Sequence, residues 1–435
     1  MFHPRCYESG MEHIGNMMSR KGRERNDEDI PEDGEAMAAA CIPSSGRVGL
    51  RLPASRGGVV APGVKALRGR GARSARSGRH EPHVREAADD GWGILERLAA
   101  EPLKTEVRDE TARTIISRND SPDICFERSV NPYRGCEHGC IYCYARPSHA
   151  HLGLSPGLDF ESRLTAKVNA PELFAKELRH PAWRPAPVVI GPNTDAYQPV
   201  ERRYRITRRL LEVAEEFGQP VGLVTKSALV TRDIDILSRL AKRNLVKVAI
   251  SITTLDAGLA RMMEPRASTP AKRLDAIGAL SQAGVPVAVM VAPIVPALTD
   301  HELETILSRA KMAGAVEAGY VMLRLPREIS GLFREWLVDL MPDRAAHVLS
   351  LVRSMHGGSD YDSRFGHRMR GAGPYAWAIG RRFELAARRL GLAGRRLNLS
   401  TRRFRVPPRS GDQLMLPGLF EDAAERENAD GGRTE

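Results

Sequence analysis

Five short runs rich in β-branched residues, Val188–Ile190, Val221–Thr225, Val246–Ser251, Val285–Val291 and Tyr320–Leu323, alternate with helical patterns at Thr207–Phe217, Thr231–Lys242, Thr269–Ala283 and Thr299–Met312. Strands separated by helices of this length pair in parallel, because a parallel connection needs a crossover that carries the chain back across the sheet. Each helical pattern opens on a Thr whose hydroxyl can accept from first-turn N–H groups. Gly218, Gly284 and Gly314 follow three of them, where a left-handed residue ends a helix. One more strand just before Cys136 brings the count to six βα units. That number predicts an α/β fold, a partial (β/α)6 TIM-like barrel rather than a closed ring of eight, with its reactive groups at the carboxyl ends of the strands.

The remainder of the 435-residue chain divides around that barrel. Residues 1–90 lack apolar periodicity and are expected to form a disordered tail. Its charge is blocked: 5 basic and 9 acidic groups in 1–44, then 10 basic and one acidic in 45–85. The barrel is expected over 115–330. A helical, Arg-rich extension follows over 331–410, with helices at Leu332–Leu340, Arg344–Met355 and Tyr375–Leu390, and a disordered tail over 411–435. The longest nearly apolar run, Ala283 to Leu298, is interrupted by Pro286, Pro293 and Pro296 and is too short to span a bilayer. The N-terminus carries no apolar stretch of the kind that directs export, so a cytoplasmic protein is expected.

Three of the six cysteines, Cys136, Cys140 and Cys143, crowd into eight residues in a C-x3-C-x2-C pattern. Soft thiolates in that density indicate metal chemistry, either an iron–sulfur cluster or zinc. Three thiolates would leave one iron of a four-iron cluster open to a small molecule. A structural zinc site wants four closed ligands, and the one local fourth candidate is His138.

The segment Asn131–Ala145 resembles the motif of the radical SAM superfamily, C-x3-C-x-aromatic-C, with Tyr142 in the aromatic place. Together with Gly191–Pro199, Thr225–Ser227, Ser251–Asp256 and Glu264–Arg266 it is similar to the branch related to spore photoproduct lyase, and the resemblance covers about 115–400. It implies that Cys136, Cys140 and Cys143 bind a [4Fe-4S] cluster and that S-adenosyl-L-methionine occupies its fourth iron. Reductive cleavage would then release a 5′-deoxyadenosyl radical that abstracts hydrogen from a substrate, with electrons from a flavodoxin- or ferredoxin-type donor. By the same resemblance Tyr142 lies near the adenine. Asn193 and Asp195 stand where the family usually has a Gly-Gly-Glu-like segment for the methionine amino group, a pattern from which this chain departs. Ser251 and Thr253 are candidates for the ribose hydroxyls. Lys226 and Arg324, at the ends of the third and sixth strands, are candidates for a carboxylate, a phosphate or substrate, with ion pairing inside the barrel the alternative for Arg324. Spore photoproduct lyase uses a hydrogen-donor cysteine downstream of its cluster. No cysteine follows Cys143 here, which argues against transferring that reaction intact, and Cys125 reads as a buried small residue.

Residues 361–410 contain 13 Arg and two acids. With Phe365, Tyr375, Trp377, Phe383 and Phe404 interspersed, they form a candidate nucleic-acid surface. Gln413–Phe420 resembles short peptides that dock on sliding clamps, though Pro417-Gly418 departs from that form. The functional expectation is a radical SAM enzyme with nucleic acid as the favoured substrate class. The alternatives are the same chemistry on a protein or small molecule, and a nucleic-acid-binding protein with a structural cluster or zinc.

Overall fold

A computed structural model describes residues 69–81, 103–393 and 398–408. Ten strands lie within them: β1 (Glu106–Glu110), β2 (Ile116–Arg118), β3 (Arg128–Val130), β4 (Tyr133–Arg134), β5 (Arg163–Lys167), β6 (Val188–Ile190), β7 (Val221–Thr225), β8 (Val246–Ser251), β9 (Val287–Ile294) and β10 (Glu317–Met322). The main sheet has the order β10-β9-β8-β7-β6-β3-β2. Its six strands β3 and β6 to β10 are parallel, and β2 runs antiparallel along the edge beside β3. The protein thus has the mixed α/β fold expected, six parallel strands in an open sheet. Every residue of β8 is buried, as a strand covered on both faces requires.

The helices, in chain order, are α1 (Leu158–Ser162), α2 (Ala170–Leu178), α3 (Glu201–Tyr204), α4 (Ile206–Phe217), α5 (Ile234–Lys242), α6 (Ala257–Met263), α7 (Pro270–Gln282), α8 (Leu303–Met312), α9 (Glu328–Leu340), α10 (Pro342–Met355) and α11 (Gly373–Arg389). Gly218, Gly284 and Gly314 all take positive φ, as their places after helices demand. Of the four Thr residues only Thr269 caps its helix, accepting from the Lys272 N–H. Thr207 instead donates to the Ala196 carbonyl at 2.6 Å. Thr299 accepts from the Val295 N–H at 2.9 Å. Thr231 lies inside a 3-10 turn, Ala228–Asp233, which precedes α5.

Two features depart from the expectation. β4 and β5, between β3 and β6, join β1 from the start of the described chain in a second sheet of order β1-β5-β4, whose short, charged first strand carries no apolar alternation to betray it. And part of the segment read as disordered, residues 69–81, packs into the molecule with Ala72 fully buried. The rest of 1–90 and all of 411–435 lie outside the described residues, the proposed clamp peptide Gln413–Phe420 among them.

The extension closes the molecule at two places. Segment 361–371 runs beside β10, where the Met322 N–H donates to the Met369 carbonyl at 2.9 Å. It reaches the other edge of the sheet through Arg368, which pairs with Asp123, and the Gly366 N–H, which donates to Asp123 at 2.7 Å. This bridge spans the opening between β10 and the β2–β3 turn. Residues 398–408 are not helical and cross the opposite end of the barrel: Ser400 N–H donates to Asn244 O, Arg405 N–H to Phe217 O, and the Phe404 ring lies 6.3 Å from Phe217. No described helix is long and apolar enough to cross a membrane. Replacing the buried Phe217 with Ala is expected to cost about 3–5 kcal/mol and to free this strap; denaturant unfolding and hydrogen exchange at 398–408 check both.

Candidate active site at the barrel mouth

The cysteine loop follows β4, just beyond the carboxyl end of β3, and Asn193, Asp195, Lys226, Ser251, Thr253 and Arg324 stand just beyond the carboxyl end of a barrel strand or at its last position. Irregular backbone at a buried site must find donors and acceptors locally. Here the Cys136 N–H donates to Phe160 O at 2.9 Å, and the Ile141 N–H donates to Met263 O at 3.0 Å. Arg146, fully buried, donates to the carbonyls of Gly139 and Cys140 at 3.1 and 2.9 Å and pairs with the buried Glu161. Gly139 has φ +69°, and a Cβ there would lie 2.8 Å from Glu161, so the turn before Cys140 admits only glycine.

Cys136 and Cys140 are buried and Cys143 is partly so, all as free thiols. Burial pushes all three thiols up from their ordinary range. Among the described residues no three His, Cys, Asp or Glu side chains gather around one point as a single ion needs. Three thiols spread along one loop, with no fourth ligand beside them in the motif, suit the donor set of a polynuclear cluster, in which each ligand would bind its own iron. The residues present therefore fit an iron–sulfur cluster better than structural zinc. His138 does not turn to a metal: its Nδ1 lies 3.3 Å from Asp195 Oδ2.

A polar network lies beside the loop. Tyr142 donates to Glu264, and its hydroxyl is 3.2 Å from that of Thr253, which itself donates to Glu264 at 2.6 Å. Glu264 pairs with Arg273, and Arg273 also donates to the Ser251 carbonyl at 3.0 Å. Lys226 Nζ donates to Ser251 Oγ at 2.6 Å and to Ala292 O at 3.1 Å, and lies 5.8 Å from the Tyr142 ring centre. Four of the predicted residues, Tyr142, Lys226, Ser251 and Thr253, are thus drawn into one cluster. Burial would raise the Glu264 carboxyl, but the charges of Arg273 and Lys226 and the bonds from Arg273 and Thr253 outweigh it and hold it at about 2. Sequence reasoning used Glu264 only as part of a resemblance and overlooked Arg273. A carboxylate and a guanidinium nine residues apart carry no local signal of pairing.

Asp195 joins the site differently. Its carboxylate accepts from Thr225 Oγ1 at 2.6 Å, Lys226 N at 2.7 Å and Tyr197 N at 2.9 Å, besides its contact with His138. Burial works against its charge, and His138 with these donors prevails, holding the carboxyl at about 2. It fixes the β6 and β7 loops relative to one another. Asn193 is exposed, and its N–H donates to Asn131 Oδ1 at 3.0 Å. Arg324 lies with its guanidinium 4.6 Å over the Tyr144 ring and has no carboxylate within ion-pair distance among the described residues. Cys125 is half-buried rather than buried, near enough to Lys247 for the two to interact electrostatically.

An open six-stranded barrel with a three-thiol loop at its mouth defines a class of α/β proteins. The comparisons place the chain within it: residues 130–310 match the Radical SAM superfamily, and an uncharacterized protein of Mycobacterium tuberculosis is 37% identical over 230 residues, 52% of this chain and 68% of that protein. The chain belongs to the radical SAM superfamily and is a radical SAM enzyme. Membership implies S-adenosylmethionine and an iron–sulfur cluster. A radical SAM Nalpha-GlyT isomerase of Pseudomonas phage M6 is 25% identical over 213 residues, 45% of this chain and 41% of that protein. A spore photoproduct lyase structure with bound AdoMet and dinucleoside spore photoproduct aligns with 71% of this chain and 85% of its own, at 18% identity and a TM-score of 0.49.

A carboxyl held at about 2 against an ordinary 4.5 stabilises the fold above pH 4.5, and this contribution disappears as pH falls from 4.5 towards 2. Glu264→Gln is therefore expected to be less stable than the parent at neutral pH and to lose less stability on acidification. Denaturant midpoints measured across that range test this.

Proposed function

We propose that Cys136, Cys140 and Cys143 hold a [4Fe-4S] cluster with S-adenosylmethionine on its open iron, and that the protein carries out radical chemistry on nucleic acid. The observation that carries the first part is the set of three free, shielded thiols on a loop fixed at the strand ends, next to a network rich in hydroxyl and ammonium donors. When bound, the cluster and S-adenosylmethionine supply one-electron cleavage to a 5′-deoxyadenosyl radical. The protein's own part is to bind, orient and exclude water. Arg146 and Gly139 shape the loop, and burial of Cys136, Cys140 and Tyr142 keeps solvent away. Lys226, Ser251 and Thr253 offer polar groups for a charged, hydroxylated ligand, and Glu264 and Arg273 hold Tyr142 and Thr253 in place. An external one-electron donor of the flavodoxin or ferredoxin type completes the requirement.

Nucleic acid as the substrate rests on the extension. Of the 13 Arg residues in 361–410, Arg364, Arg368, Arg381 and Arg382 form ion pairs among the described residues. Arg402, Arg403 and Arg405 stand on the strap at the far end of the barrel, so the basic block is split between two faces. What remains near the mouth side includes two aromatic rings open to solvent, Phe365 at 57% and Trp377 at 71% exposure, with Arg368 4.7 Å from the Phe365 ring centre. Exposed aromatics among Arg side chains suit stacked bases and phosphates.

The first part is tested by anaerobic reconstitution, dithionite and S-adenosylmethionine, with chromatography for 5′-deoxyadenosine. Production by the parent and none by Cys140→Ala is expected. A parent that carries zinc and no iron contradicts the reading. For the second part, Trp377→Ala is expected to weaken single-strand binding about tenfold by fluorescence anisotropy at low salt. Absence of any DNA or RNA binding there points instead to a protein or small-molecule substrate.

A further inference from the structure

Residues 69–81 carry Arg at every third position, Arg70, Arg73, Arg76 and Arg79. Three of these meet acids on a single face of α9: Arg73 pairs with Asp339 at 2.9 Å, Arg76 with Glu335 at 2.6 Å and Arg79 with Glu328 at 3.0 Å. The acids are spaced seven and four residues apart, which places them along one helix stripe, and their order shows that the segment runs antiparallel to α9. Ser74 adds a hydroxyl bond to Glu335 at 2.8 Å. Exposed pairs of this kind contribute little stability individually, but three in register fix direction and alignment.

On its other side the segment touches the cysteine loop. The N–H groups of Gly71 and Ala72 donate to the two oxygens of Glu161 at 2.9 and 2.8 Å, the same carboxylate that pairs with Arg146 behind Cys140. A Cβ on Gly71 would fall 1.8 Å from the Gly139 carbonyl oxygen, so only glycine permits this approach. Ala72 packs in one apolar cluster with Cys140, Ile141 and Tyr142. Further along, the Leu158 N–H donates to Ser74 O at 3.2 Å, and Arg79 reaches His151, within the 3-10 turn Arg146–Leu152 that follows Cys143.

We propose that residues 69–81 are a positioning clamp for the cluster loop, anchored on α9 and acting on the thiols through Glu161, Arg146 and Gly139. The proposal rests on the cluster reading above and assigns the N-terminal segment a part in it. A clamp that steadies the cluster is, by linkage, steadied by the cluster in return, and this reciprocity separates it from a passive packing strip.

The test uses the full chain, reconstituted anaerobically. Two variants are compared with the parent: Arg73→Gln/Arg76→Gln/Arg79→Gln, which releases the α9 anchors and the Arg79–His151 contact while leaving the cysteine segment itself unchanged, and Gly71→Val, which cannot make the close approach. Expected are iron release to a chelator about tenfold faster in both, the size usual for lost outer partners of a metal site, unchanged thermal unfolding of the apo triple variant, and tryptic cleavage of the parent at Arg73, Arg76 and Arg79 that is slower with the cluster than without. Should Gly71→Val fail to fold, the triple variant decides. Iron release at the parental rate, or tryptic cleavage indifferent to the cluster, overturns the clamp. A parent that takes up no iron overturns the cluster reading, and the clamp with it.

Discussion

Arg146 and Glu161 are both withdrawn from water, and each would be costly there alone; removing one partner of such a pair typically costs about 3–5 kcal/mol because the other charge is left stranded. What the pair provides is a set of hydrogen bonds to backbone that belongs to no helix or sheet. The guanidinium takes the carbonyls of Gly139, Cys140, Pro156 and Gly157, and the carboxylate takes the N–H groups of Gly71 and Ala72. Three chain segments distant in sequence are thereby joined behind the thiols. An irregular loop becomes rigid without secondary structure of its own.

The second buried pair, Glu264 with Arg273, does for the polar side of the site what the first does for the loop. It links the segment after α6 to α7 and presents one carboxylate to both Tyr142 and Thr253. The two pairs flank Cys140, one gripping its backbone and the other lying close enough to affect its thiol. A site of the proposed kind, for a redox group and a charged small molecule, benefits from such preorganisation, since polar groups fixed in advance need not reorganise when charge appears.

Much of this was legible in the chain. The strands β6, β7 and β8 fall where β-branched runs stood, because strands covered on both faces are apolar over most of their length. The thiol triad announced itself by spacing, and Lys226, Ser251 and Thr253 by their places at strand ends. What escaped notice was held by charge rather than by apolar pattern. The clamp reads as a polar, Arg-rich tail because its partners, Glu328, Glu335 and Asp339, lie about 260 residues away. Asp195 looked available for a ligand, yet four donors from three loops meet on it, a convergence that no spacing reveals. The basic extension read as one surface because sequence cannot show that Phe404 turns its part of the block to the opposite end of the barrel.

The proposed chemistry turns on whether the three thiols hold a cluster with one iron left for S-adenosylmethionine. Electron paramagnetic resonance of the anaerobically reconstituted, dithionite-reduced protein tests it most directly. Expected is the signal of a reduced [4Fe-4S] cluster whose line shape changes when S-adenosylmethionine is added, with both signal and change lost in Cys143→Ala. A four-iron signal that S-adenosylmethionine leaves untouched would contradict it, because a cluster indifferent to the small molecule has no open iron to offer.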